Sequence, residues 1–159
     1  MAHRDGDGWV RCSCGRTHWG INGAAGLLLV RRDGDVPRVL LQLRAGWTHG
    51  GGTWALPGGA IDSHEDSATA ATREAREEAG VDEARISVRA VHRASCPGND
   101  WFYDTVIAHA VDDAGAHVAN SESEELSWVD VDDVDGRPLH GGFAAAWPLL
   151  RRMLLDSLA

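Results

Sequence analysis

The segment from Gly58 to Val81, GGAIDSHEDSATAATREAREEAGV, constrains the fold more than any other part of the chain. Between Glu65 and Glu78 it sets five carboxylates and two arginines into a run otherwise rich in alanine. With Gly80 placed to end it, this run predicts a helix from about Ser67 to Ala79. At about 3.6 residues per turn, Ala68, Ala71, Thr72, Ala75 and Ala79 share one narrow face, small enough to lie close against a sheet. Glu74, Glu77 and Glu78 fall on the adjacent face, within an arc of roughly 100°. Like charges at these spacings destabilise an isolated helix by a few tenths of a kcal/mol per pair. Carboxylates converging on one point are what a hard cation such as Mg2+ requires, because oxygen atoms hold it. A solvated acidic face is the plainer alternative. Ahead of the helix, Pro57-Gly58-Gly59 predicts a tight turn whose carbonyls can approach a cation without side-chain interference. Arg73, beside Glu74, can fix a carboxylate's orientation through a bidentate contact.

The rest of the chain bounds the architecture. Its 159 residues, 43% hydrophobic and 25% charged, fit one globular domain with a proper core. The net charge of -9 argues against a nucleic-acid groove, though bound cations can reverse the local sign for a small phosphorylated ligand. No secretory signal is visible in MAHRDGDGWVRCSCG, and the longest apolar run, Ala24 to Val30, is too short for a membrane span. Three cysteines, an odd number, argue against a disulfide framework and suit a cytoplasmic protein. Strands are expected over 21–30, 36–44, 86–94, 101–111 and 126–129. Trp147, Leu150, Met153, Leu154 and Leu158 are spaced as a C-terminal helix, with Pro148 suited to its first turn. Strands mixed with two helices predict an α/β chain whose sheet is covered on both faces.

The spacing Gly59, five residues, Glu65, seven residues, then Arg73-Glu74-Ala75-Arg76-Glu77-Glu78-Ala79-Gly80-Val81 resembles the Nudix box at every defining position. The preceding WALPGG is similar to the approach to that box in MutT-like members. The resemblance implies a Nudix fold, an α/β/α sandwich with a mixed sheet, over residues 20–159, preceded by an N-terminal extension at 1–19. It also implies hydrolysis of a nucleoside diphosphate linked to a group X, with Mg2+ or Mn2+ as cofactor. By position, Glu77, Glu78 and the Gly59 carbonyl would hold metal, and Glu74 would bind metal or its water and help activate the nucleophile. Arg73 would orient Glu74, and Glu65 would support the loop and the arginine from behind. A further base or ligand is expected on a loop before a late Trp-bearing strand. In NSESEELSWV, Glu122 is the candidate, with Glu124 and Glu125 as rivals. The compact MutT-like layout favours a (d)NTP, including an oxidised one, over ADP-ribose or a nucleotide sugar. A non-catalytic nucleotide sensor is the other class, but it would be expected to lose box carboxylates. The oligomer is expected to be a monomer or homodimer.

Weaker signals remain. Trp47, Trp101 and Tyr103 are candidate base-stacking side chains. Strand alternation puts Trp101 and Tyr103 on one face and Phe102 on the other. Pro97, 16 residues beyond Val81, resembles a marker of ADP-ribose pyrophosphatases, but a CPGN turn has its own use for proline. Cys12-Ser13-Cys14 with His18 hints at a zinc knuckle. A second cysteine pair is missing and Cys96 is distant in sequence, so a plain turn without zinc is expected. His49, His92, His109 and His140 show no interpretable spacing.

Overall fold

The structure is a computed structural model that describes residues 4–48 and 50–159; His49 lies outside the described residues. A first hairpin pairs β1 (Trp9–Arg11) with β2 (Thr17–Trp19) as a separate two-stranded sheet. Then follow β3 (Ala24–Arg31), β4 (Arg38–Arg44), β5 (Trp54–Ala55), β6 (Gly58–Ala60), α1 (Ser67–Ala79), β7 (Ile86–Ser95), β8 (Phe102–Ala110), β9 (Ser123–Asp130) and α2 (Gly141–Ser157). Strands β3 to β9 form one sheet along the path β5-β4-β3-β8-β7, with β6 paired to β3 and β9 to β4. Strand β3 runs parallel to β8, while the other paired strands run antiparallel, so the sheet is mixed as expected.

Strand β3, AAGLLLVR, reads as a continuous apolar run because both of its faces are covered. Leu27 and Leu29 join Ala70, Ala71, Ala75 and Ala79 of α1 in one core layer. Leu28 and Val30 join Phe143, Trp147, Leu150 and Leu154 of α2 in the other. Asp66 caps α1, its carboxylate accepting the Thr69 N–H at 2.8 Å, and Gly80, at φ 64°, ends it. The alanine face is nearly as expected, with Ala70 fully buried and Ala68 only partly. At the start of α1, the Ser67 hydroxyl donates to Asp104, which also accepts a bidentate pair from Arg93 at 2.9 and 3.0 Å. That network ties the first helical turn to β7 and β8.

Three expectations are corrected. Gly58–Ala60 is not a tight turn but the extended strand β6, antiparallel to β3. A Cβ on Gly58 would sit 2.5 Å from the Ala25 carbonyl oxygen, so the glycines serve close strand packing. Pro148 stands in the interior of α2 rather than in its first turn. The helix starts at Gly141 because Phe143 extends the buried stripe of Trp147, Leu150 and Leu154. Burying that stripe offsets the hydrogen bond that Pro148 cannot donate. Finally, Cys12 and Cys96 are paired as a disulfide across 84 residues, because the β7–β8 turn carries Cys96 to the N-terminal hairpin.

The alanine face can be tested by size. Ala75→Leu should destabilise the protein by about 1–3 kcal/mol through overpacking, whereas Thr69→Leu on the exposed face should stay within about 0.5 kcal/mol. Urea unfolding of both variants checks this; equal stability would mean that α1 does not lie as close to β3 as described.

Candidate active site

The site is organised around Arg73. Its guanidinium, 7% exposed, donates from Nε and Nη2 to both oxygens of Glu65 at 2.7 and 2.8 Å. Nη1 donates to Glu74 Oε1 at 2.8 Å, and Nη2 also reaches the Ala60 carbonyl at 3.1 Å. Such a fork fixes two carboxylates and a strand at once. These hydrogen bonds hold the Glu65 carboxyl below the usual carboxylate range. Helix spacing brings Glu74 and Glu78 against β6, and sets Glu77 beside Arg73 and Arg4. Glu78 Oε2 accepts the Gly58 N–H at 2.9 Å. A Cβ on Gly59 would lie 2.7 Å from the Glu74 carboxylate, so a side chain there would displace the carboxylate that Arg73 holds.

Glu122 meets this group from the loop before β9, facing Glu78 within hydrogen-bonding reach. Burial, partly opposed by Arg73, pushes the Glu74 carboxyl up to about 7, and the charges of Glu77 and Glu122 add to the rise. Burial likewise pushes Glu78 well above the carboxylate range, reinforced by its hydrogen bond to Glu122 and the nearby charges of Glu74 and Glu122. Glu77 Oε2 is buried and has no hydrogen-bond partner among the described residues, and the Arg73 Nη1 charge lies 3.5 Å away. An orphaned carboxylate oxygen, repelling neighbours and a glycine strand beneath them fit a divalent cation held by oxygen ligands. Glu74, Glu77, Glu78 and Glu122 could therefore hold one.

Other predicted residues are placed differently. Trp47 is 70% exposed, with its Nε1 donating to the Ser121 carbonyl at 3.2 Å, so its ring stands beside the Glu122 loop. Glu124 accepts the Gly46 N–H at 3.1 Å. Glu125 is exposed and pairs with Leu43 in the β4–β9 ladder. The Tyr103 hydroxyl lies against Gly26 and Gly58, close to where Glu78 bonds the strand. Burial, with the Glu78 charge adding, pushes this phenol above its usual range, so it stays protonated. Trp101 shares the Tyr103 side at 6.4 Å, but its face is stacked on His18. Cys96, distant in sequence, stands beside Cys12, Cys14 and His18 in the structure.

Some site residues gave no clear sequence signal. Arg4 donates to Glu77 Oε1 at 2.6 Å and to Asp62 at 3.2 Å, a contact that only folding creates. Gln42, 1% exposed, accepts the Ser123 hydroxyl at 2.8 Å and reaches Glu78 at 3.5 Å. A lone glutamine inside the apolar strand RVLLQLR was the available hint.

Residues 21–153 match the family model of the NUDIX domain. The chain belongs to the Nudix family. It is 52% identical over 155 residues to a Mycobacterium tuberculosis protein named "Putative 8-oxo-dGTP diphosphatase 3", covering 92% of this chain and 70% of that protein. It is 42% identical over 165 residues to a nucleoside triphosphate pyrophosphatase/Nudix hydrolase fusion protein of Bifidobacterium longum, of which it spans 33%. Its fold superposes on the crystal structure of the Nudix hydrolase RenU from M. smegmatis with a TM-score of 0.87 at 47% identity, covering 95% and 96% of the two chains. The protein is thus a Nudix pyrophosphohydrolase acting on phosphoric anhydrides of small nucleotides, in a family that generally uses a divalent metal. No helix among the described residues is long and apolar enough to cross a membrane.

The raised carboxyls give this Nudix site a pH signature. Between its ordinary value of 4.5 and about 7, Glu74 holds in the folded chain a proton that the unfolded chain has released. Its contribution to cation-free stability therefore falls as pH rises through that window. Cation binding needs the ionised carboxylates, so it should expel protons near neutrality and tighten between about pH 6 and 8. Titration calorimetry of Mg2+ in buffers of different ionisation enthalpy should show buffer-dependent heats. Heats and affinity independent of both buffer and pH would contradict the protonation described.

Proposed function

We propose that this Nudix hydrolase cleaves a diphosphate linkage in an oxidised nucleoside triphosphate, with Mg2+ or Mn2+ as its cation. The convergence of Glu74, Glu77, Glu78 and Glu122 over the Gly58–Ala60 strand carries the reading of anhydride hydrolysis. The preference for an oxidised purine triphosphate draws support from the 52%-identical relative. ADP-ribose or a nucleotide sugar is the competing substrate class; Pro97, its sequence marker, here follows Cys96 in the β7–β8 turn.

In this reading Glu77, Glu78 and the Gly59 carbonyl bind the cation, and Glu74 completes its ligands. When bound, the cation neutralises the diphosphate oxygens and acidifies water at the site. Arg73 fixes Glu74, while Glu65 fixes Arg73 in turn, so neither needs to touch substrate. Glu122 and Glu74, close to one another in a desolvated setting, are the candidates to take a proton from the attacking water. Trp47 offers an exposed ring for a base beside the Glu122 loop, and Tyr103 offers a protonated phenol next to the glycine strand.

Activity should vanish with EDTA and return with Mg2+ or Mn2+. With 8-oxo-dGTP, kcat/KM should exceed that for dGTP and ADP-ribose by about tenfold or more; faster turnover of ADP-ribose would reverse the substrate assignment. Glu77→Gln keeps size but removes a ligand charge, and should lower kcat by on the order of 10³. Glu65→Gln should cost about 10- to 100-fold. A folded Glu77→Gln variant with ordinary kcat at saturating Mg2+ would move the catalytic cation elsewhere.

A further inference from the structure

Outside the active site, the hairpin and the β7–β8 turn bring four soft metal ligands together. One ligand atom from each of Cys12, Cys14, His18 and Cys96 lies within 4.8 Å of the other three. Cys14 Sγ is 2.9 Å from Cys12 Sγ and 3.4 Å from Cys96 Sγ. The Cys12–Cys96 disulfide uses two of these sulfurs and leaves the third pressed against both. It also leaves His18 Nε2 buried with no hydrogen-bond partner among the described residues, although buried polar atoms are ordinarily satisfied. The His18 ring is held by stacking on Trp101, with centroids 4.2 Å apart and planes 8° from parallel.

We propose that the reduced chain binds one structural Zn2+ through Cys12, Cys14, His18 and Cys96. A Cys3His set is an ordinary structural zinc site, and tetrahedral bonds of about 2.3 Å to sulfur and 2.0 Å to nitrogen space the ligand atoms about 3.5–3.8 Å apart. Cys14 Sγ stands at 2.9 and 3.4 Å from the other two sulfurs, and all four ligand atoms lie within 4.8 Å. The Cys12 and Cys96 sulfurs, bonded to each other here, part on reduction to reach that spacing. Both turns hold their shape by backbone bonds that do not involve the disulfide. In the hairpin, Gly15 N–H donates to the Cys12 carbonyl at 2.9 Å, and Cys12 N–H to the Arg16 carbonyl at 2.7 Å. In the other turn, Asn99 N–H donates to the Cys96 carbonyl and Cys96 N–H to the Trp101 carbonyl, both at 2.8 Å. Ser13 N–H joins the two turns by donating to Asp100 at 2.6 Å. The Cys14 N–H is directed at Cys12 Sγ at 3.4 Å, an amide contact that favours a thiolate.

The hairpin also needs a cross-link. Strands of three residues each, with Trp9 and Trp19 both exposed, give little stability alone. Two equivalents of an external thiol, themselves oxidised to a disulfide, supply the two electrons and two protons that convert the Cys12–Cys96 bond to two thiols. Zinc binding to three thiols and neutral His18 then releases three protons.

The test is metal and thiol counting on full-length protein purified with a reductant and without chelators. Elemental analysis should give one zinc per chain, and titration after unfolding should give three thiols. Co2+ added to reduced, metal-stripped protein should produce thiolate-to-cobalt charge transfer with tetrahedral bands, which carboxylate oxygens cannot supply. Cys14→Ser, at an exposed position, should keep the fold by circular dichroism and lose both zinc and the thiolate bands; His18→Ala should weaken both. A reduced protein that takes up no zinc and shows no thiolate bands would overturn the proposal. So would a Cys14→Ser variant that keeps its zinc.

Discussion

A guanidinium almost excluded from water holds the candidate active site in register. Arg73 bridges the loop through Glu65, the sheet through the Ala60 carbonyl, and its own helix through Glu74. Removing one partner of a buried ion pair costs about 3–5 kcal/mol, because the remaining charge stays unpaired. Loop, strand and helix must therefore arrive together. Their closeness explains the absence of a Cβ at Gly59, where the Glu74 carboxylate occupies the space. It also explains the alanine face of α1, since a larger residue at Ala71 or Ala75 would lift the helix away from β3.

That arrangement leaves electrostatic strain that Arg73 only partly relieves. Glu74 and Glu78 are buried beside each other and beside Glu122, and each is driven toward its protonated form. A chain selected only for stability would replace such a cluster, whereas a cation site requires it. Arg4 supplies a further positive charge on Glu77, so the segment before the hairpin shares in the electrostatics of a site built on the box. Gln42, an uncharged amide, links Glu78 to Ser123 at the start of the strand that follows the Glu122 loop. The site therefore depends on four separate stretches of chain rather than on one helix.

Periodicity made some of this legible. The helix bounds of α1 follow from alanine content, the Asp66 cap and Gly80, which act within a few residues of one another. The buried stripe of α2 was visible at helical spacing, yet its start was not, since Pro148 signals a first turn locally and tertiary burial of Phe143 overrides it. The glycines before α1 read as a turn, because nothing local reveals that β3 lies alongside to pair with them. The acidic loop before a Trp-bearing strand offered Glu122, Glu124 and Glu125 alike, and only the fold shows that Glu122 faces Glu78 while Glu125 sits in the β4–β9 ladder.

The sequence by itself determined the box, its carboxylate face, the sandwich and the two helices, because those depend on spacing along a single element. Only the tertiary structure decided which distant groups converge. Arg4 reaches Glu77, Gln42 reaches Glu78, and Cys96 reaches Cys12 and Cys14 across more than eighty residues. Such contacts depend on how strands are ordered and how turns meet in space. Hydrophobic burial on both faces of β3 fixes that order, and no local pattern encodes it.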